Sequence, residues 1–481
     1  MSERKRFHPL AIVIDGFNGL KKLSFFILLM FFNGELTSLF GLIALSALVL
    51  LVLIQALWKY FSQTYQISSE KIILYRGVFR KRETDIPYER IQTIKQRQWF
   101  FFKPFNVIQL LIETAGGDST QAEASMPAVN IEVWEWIEKY RQGEQPESDD
   151  QSPSDLGGEK VSDAADFTVT NSQIVLFALT DLSIIATLIA VIIFISEFIP
   201  ENWITTASSM AESLLRTGWL AALSILFISL IVVMLLSLLR TFIQYYNFQV
   251  NRTNRTLTIE SGLFERKIQK IPLEKIQGLK IRQQPIRKLL GISTVELLLA
   301  GGQETEGESG IVKKLYILPI ISDQQLYETL SDLLPEWNFT RPEIKFVSRK
   351  KLWYFWRWKL LFIPIAAGLA FLSYWLTLAA VAVMLLLMLN SWLEEKHQGY
   401  HIQTAHRLCI QNIEWFTKVQ TFVERQKVQS FTERTTRWLF PKQIGHINLF
   451  IKTGDNLETL GLNFIDETDI YKLSRFYRNK N

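Results

Sequence analysis

Cysteine is almost missing from this chain of 481 residues: Cys409 stands alone. One thiol excludes a disulfide framework and any cysteine-built metal site. Histidine is nearly as scarce, with His8, His397, His401, His406 and His446 the full set. His397 and His401 are four apart, a spacing that lets two rings on a helix share a metal. They straddle Gln398-Gly399, where an apolar span gives way to a strand pattern, and no ligand set completes a site. Neither a Walker loop nor a Gly-x-Ser-x-Gly elbow is present. Gly116-Gly117 and Gly301-Gly302 lack a following Lys-Ser/Thr to hold phosphate and read as hairpin turns. No catalytic residue, cofactor or metal is expected, and the chain is not read as an enzyme. A net charge of only +5 weighs against nucleic acid as a partner.

Repetition dominates what is present. Residues 65–98 and 248–283 hold register at an offset of 185 residues, so that Gly77 matches Gly262. Ile86-Pro87 then matches Ile271-Pro272, Ile91-Gln92 matches Ile276-Gln277, and Lys95, Arg97 and Gln98 match Lys280, Arg282 and Gln283. Residues 400–435 carry a worn third copy, with Glu414 at the Gly77 position, Glu424 at the Pro87 position and Thr432 at the Lys95 position. A unit this long is a whole module rather than a solenoid repeat.

Each copy follows a long apolar stretch, at Leu23–Trp58, Leu182–Leu239 and Leu360–Leu389. Runs such as LIALSALVLLVLIQALW have no polar face, which excludes an ordinary soluble helix. With roughly 20 apolar residues per crossing, two spans per module and six in all are expected. The first apolar run lacks the position and cleavage site of a signal peptide. The short turns between paired spans carry one base, Arg216, against Glu35, Glu197, Glu201 and Glu212. The opposite ends carry Arg4, Lys5, Arg6, Lys59, Arg240, Arg349, Lys350, Lys351, Arg357 and Lys359. The positive-inside rule then places the repeated domains and both termini on the cytoplasmic side of the membrane.

The repeated text alternates apolar and polar residues over short runs broken by Gly and Asn, the mark of antiparallel strands. An amphipathic helix follows each: after Asn130, after a capping box of Ser322 and Gln325, and after Asp466. Strands closed by one helix make a small α+β barrel or sandwich. The order Tyr-x-Ile, Gly-x-Phe, Ile-Pro, Ile-Gln, Arg-Gln, placed after two spans, resembles the bacterial PH-like membrane-flanked domain family (bPH2, formerly DUF304). The resemblance implies three tandem PH-like domains, each of two near-orthogonal antiparallel sheets closed by a C-terminal helix. It implies no catalytic residues. It also implies a smaller partner with one such domain after two spans, and a role in envelope stress or resistance to membrane-active peptides.

The expected layout is then a lead-in segment and hairpin at 1–60 and a PH-like domain at 61–142. An acidic linker at 143–166 is expected to be disordered. A second hairpin occupies 167–240 and a second domain 241–340. An aromatic, basic lead-in with the third hairpin covers 341–395, and a divergent third domain 396–481. Pro9–Gly19 and Asn171–Thr180 read as in-plane or slanting lead-in helices, with Asp15 and Asp181 at the start of spans.

Two sets of candidate binding residues emerge. Lys95 and Arg97, like Lys280 and Arg282, alternate on one strand face. They form either a surface for anionic lipid or a partner, or a solvated strand face. Trp353, Tyr354, Trp356, Arg357, Trp358 and Lys359 combine aromatic and basic chemistry suited to the headgroup level. The expected function is a non-enzymatic scaffold whose domains bind one another, membrane lipids or a protein partner, as a homo- or hetero-oligomer. The alternative is a transporter or lipid-handling protein gated by its domains.

Overall fold

The computed structural model describes residues 4–32, 34, 38–77, 81–114, 124–142, 166–181, 219–300, 305–306, 311–312, 314–348, 350–371, 373–454 and 456–478. Apart from Asp166 the expected linker falls outside these residues, as do 182–218 of the second apolar stretch and both Gly-Gly pairs. Contacts divide the chain into two compact units. One holds Met1–Gly117, Ala122–Val250 and Thr258–Lys270; the other holds Ile271–Asn481 with Asp118–Gln121 and Asn251–Leu257.

The first unit opens with β1 (Lys5–Arg6), α1 (Leu10–Phe32) and α2 (Leu39–Ser62). α1 runs unbroken from the lead-in segment into the first apolar stretch, as far as Phe32. No proline interrupts it, and Leu53 and Val52 of the helix that follows pack against its Gly16 and Gly19. Ser38 starts α2, its Oγ accepting from the Gly41 N–H at 2.9 Å. Among the described residues, α2 is one of two helices long and apolar enough to cross a membrane.

Strands β2 (Thr64–Ile67), β3 (Lys71–Arg76) and β4 (Arg82–Pro87) continue from β1 in a four-stranded antiparallel sheet. β5 (Ile91–Trp99), β6 (Val107–Thr114) and β7 (Ala124–Asn130) form a second meander, followed by α3 (Ile131–Gln142). Ile72, Leu74 and Ile86 from the first sheet share one core with Ile94, Leu110, Ile112 and Met126 from the second. Val133, Trp134 and Ile137 of α3 close it. Burying each such side chain contributes roughly 1.5–3 kcal/mol.

Next come β8 (Phe167–Thr168), α4 (Asn171–Leu179) and α5 (Trp219–Tyr245). Thr170 and Gln173 form a capping box at α4. β9 (Gln249–Thr253), β10 (Thr256–Ser261) and β11 (Glu265–Pro272) then join the meander in a seven-stranded sheet of order β7-β6-β5-β11-β10-β9-β8.

The second unit has β12 (Ile276–Gln283), α6 (Pro285–Leu289), β13 (Ile292–Leu299), a two-stranded ribbon of β14 (Thr305–Glu306) and β15 (Ile311–Val312), β16 (Leu315–Ser322) and α7 (Leu326–Leu333). The expected capping box does not form. Ser322 ends β16, and α7 begins only after Gln325, which makes no side-chain cap. The preceding Asp323 instead accepts from Gln283 Nε2 and Ser293 Oγ, both at 2.6 Å, which ties this segment to the sheet.

β17 (Lys345–Phe346), α8 (Leu352–Trp356), α9 (Phe362–Ala370) and α10 (Tyr374–His397) follow. α9 has nine residues and rises roughly 14 Å, under half of a hydrocarbon core. α10 contains the other segment able to span, Leu376–His397. β18 (Gly399–Thr404), β19 (Arg407–Glu414) and β20 (Thr417–Glu424) complete a second seven-stranded sheet, ordered β16-β13-β12-β20-β19-β18-β17. β21 (Val428–Arg434), β22 (Ile444–Thr453) and β23 (Asn456–Asp466) form a separate three-stranded sheet. α11 (Glu467–Arg478) packs Ile470, Leu473 and Phe476 into its core.

Candidate binding surfaces at the strand junctions

Both seven-stranded sheets cross a repeat boundary. β5, from the first repeat, pairs antiparallel with β11 of the second: Lys95 opposes Gln269, Gln96 opposes Ile268 and Arg97 opposes Lys267. β12, from the second repeat, pairs with β20 of the third: Lys280 opposes Thr421, Ile281 opposes Gln420 and Arg282 opposes Val419. Arg97 and Arg282 are equivalent positions. Lys267 and Val419 are equivalent too, each four residues before the Ile-Pro position (Ile271, Val423). One register is therefore used twice. At the second junction Gly278 lets the strands approach, since a Cβ there would lie 2.7 Å from the Phe422 carbonyl oxygen.

The four repeated bases lie on these junction strands. Lys95 is buried, with Nζ 2.6 Å from Glu113 Oε1. Lys280 is buried and pairs with Glu458. Arg97 Nε lies 3.7 Å from Glu265 Oε1. Arg282 Nε is 3.0 Å from Glu296, and its Nη2 is 3.2 Å from Glu414. Burial opposes the charge on Arg282, but Glu296 and Glu414 outweigh it and raise its pKa. The structure thus turns these charges toward carboxylates of the same chain. At each junction the repeated arginine reaches an acid on the hairpin of the following repeat.

The aromatic lead-in gathers against α10. Trp356 Nε1 donates to the Met388 carbonyl at 3.1 Å, and Lys359 bonds Ser391. Tyr354 stacks on Phe464 at 5.6 Å, with Arg357 5.7 Å from the Tyr354 ring centre. Trp353 and Trp358 stay exposed. Asp15 is held by Lys59 at 2.5 Å. His397 and His401 each contact a backbone carbonyl, of Leu393 and Glu343. No group of three His, Cys, Asp or Glu able to hold a metal exists among the described residues.

The sequence model of the family described as "Bacterial PH domain" matches residues 23–145 and 174–332, more than half of the chain. The chain belongs to the bacterial PH domain family. It is also similar to the UPF0699 transmembrane protein YdbT of Bacillus subtilis (strain 168), at 28% identity over 354 residues, 70% of this chain and 71% of that protein. The match ends before the third repeat, yet residues 399–478 build strands in the same order and meet β12 in the same register.

This bacterial PH protein leaves two equivalent strand edges unused among the described residues. β21 corresponds to β5 and β12, but it pairs only with β22. Its Gln429, Ser430, Glu433 and Arg434 are exposed, where β12 is largely buried. β4 corresponds to β11 and β20, pairs only with β3, and exposes Arg82, Glu83 and Asp85. Arg434 occupies the Arg97 and Arg282 position and has no ion pair among the described residues. Sequence reading singled out the repeated bases but missed their acids. Glu265 follows its hairpin turn whereas Glu414 precedes its own, so no common spacing carried that signal.

Proposed function

We propose that this membrane protein is a non-enzymatic scaffold of three PH-like domains that clasp one another strand to strand and hold a further protein in the same way. One observation carries the reading: the same strand edge is filled in the same register at two junctions, and its third copy, β21, is exposed. Strand addition at an open edge is a standard recognition mode, with backbone bonds supplying affinity and side chains the choice of partner. A fitting partner offers an edge hairpin from another PH-like domain, with an acid placed to meet Arg434 as Glu265 meets Arg97. A second copy of this chain fits poorly. Its β4 would bring Arg82 to Arg434, and like charges opposed across strands destabilise pairing. Envelope stress is the setting in which to look for that partner, with the domains on the cytoplasmic face of the membrane.

The test is a photo-reactive residue at Thr432 of the full chain in its native membrane. The reading expects an adduct with the edge hairpin of another PH-like protein. Arg434→Glu should abolish it, and reversing the partner's acid to a base should restore it. An adduct only with lipid, or one indifferent to Arg434→Glu, would sink the proposal.

A further inference from the structure

The loop joining the first two strands of each second sheet shares two fixed points in all three repeats, although only the second coils into an α-helix, α6. It spans residues 99–106, 284–291 and 435–443. Each loop is pinned by one buried residue at an equivalent position, Phe102, Arg287 or Leu439. Each ends in a left-handed residue: Asn106 at φ 51°, Gly291 at φ 63° and Gln443 at φ 55°. All three loops leave large apolar side chains in the open. Phe100 and Phe105 are 59% and 57% exposed, Leu289 and Leu290 87% and 50%, Trp438 and Phe440 79% and 72%. A base accompanies each set: Lys103, Lys288, and Arg437 with Lys442.

Folding does not explain three such loops, because exposing these side chains to water forfeits hydrophobic stabilisation. Their neighbours point to an occupant. In the first unit Trp99 lies 6.1 Å from Phe17 of α1, two residues from the Asp15–Lys59 pair at the end of α2. The hairpin tip residue Phe264 packs on Phe100 at 6.1 Å and is itself half exposed. In the second unit Lys442 sits 5.3 Å from the ring centre of Tyr354, on the aromatic segment bound to α10. Apolar side chains flanked by bases, beside helices able to cross a membrane, match the headgroup boundary of an anionic bilayer.

We propose that these three loops anchor the domains to the lipid surface. Phe100, Phe105, Leu289, Leu290, Trp438 and Phe440 enter the boundary between headgroups and acyl chains, and the adjoining bases lie on anionic phosphates. The anchor fixes the height and tilt of each domain on the membrane. It stands or falls separately from the partner reading, which concerns the β21 edge.

Single fluorophores test it in the full chain, reconstituted into phosphatidylglycerol–phosphatidylcholine bilayers. Phe105→Cys, Leu289→Cys and Trp438→Cys each take a label, since the native Cys409 is buried. Tyr471→Cys, on an exposed position of α11, serves as the control. The proposal expects a quencher carried on the acyl chains to quench the three loop labels strongly and the control weakly. A water-soluble quencher should act in the reverse order. Equal quenching of loop and control labels overturns the proposal. So does protection of the loops that scales with protein density rather than with lipid quencher, which would assign them to contacts between proteins.

Discussion

Arg97 on β5 meets Glu265 on β11 at 3.7 Å, although the two come from different repeats. Arg282 repeats the relationship with Glu414 at 3.2 Å. Ion pairs alone are modest contributors, but here each sits at the side of a strand ladder and selects which hairpin docks there. Replacing Arg282 and Glu414 singly and together should reveal a coupling on the order of 1 kcal/mol. Denaturant titration of the four variants measures it. Additive losses would show that the pair plays no part in the junction.

Lys280 should behave as a structural residue. It is buried against Glu458, so Lys280→Glu opposes two carboxylates inside the sheet. Breaking a buried pair costs about 3–5 kcal/mol. Thermal unfolding of the variant should fall sharply, whereas Lys280→Met, keeping the stem and removing the charge, should lose less.

Gly262 holds φ at 116°, and a Cβ there would sit 2.1 Å from the Glu265 carbonyl oxygen. Gly262→Ala should therefore destabilise by about 1–3 kcal/mol. The third repeat turns the same corner with Trp415 at φ 46° and Phe416 at φ 66°, and the Phe416 N–H donates to Asn390 Oδ1 at 2.8 Å. Asn390→Ala removes that tether and should lower stability by roughly 1 kcal/mol. Unfolding midpoints of both variants check these values.

His446 gives the third repeat a pH dependence. Burial lowers its pKa from the usual 6.5, and the positive charge of Arg357 lowers it further, while a contact of 3.1 Å with Asn463 resists the shift. A depressed folded-state pKa means that the unfolded chain takes up the proton first. The stability linked to this group is present above pH 6.5 and declines as pH falls through its folded value. His446→Gln should flatten that part of the stability–pH curve.

Much of this architecture was legible in the sequence. The alternation of the repeated text predicts antiparallel strands and Ile276–Gln283 is one, because period-two alternation survives wherever one sheet face is buried. The junctions were not legible. Pairing between β5 and β11 links residues about 170 positions apart, and periodicity carries no information on such partners. The repeated Lys95 and Lys280 therefore looked equally suited to lipid or solvent until their burial was seen. The Ser322 box failed for a related reason: Gln283 and Ser293, distant in sequence, hold Asp323 to the sheet.

Shared register across repeat boundaries is the centre of this account, and thiol bridging tests it most directly. Cysteine pairs replacing Gln96 with Ile268, and Ile281 with Gln420, occupy the same step of the two ladders. In the full chain in membranes, a short thiol-to-thiol cross-linker should bridge both pairs efficiently. Pairs offset by two residues, such as Gln96 with Lys270, should react far less. Failure of the matched pairs, or equal yield from the offset ones, would contradict strand pairing between repeats in one fixed register.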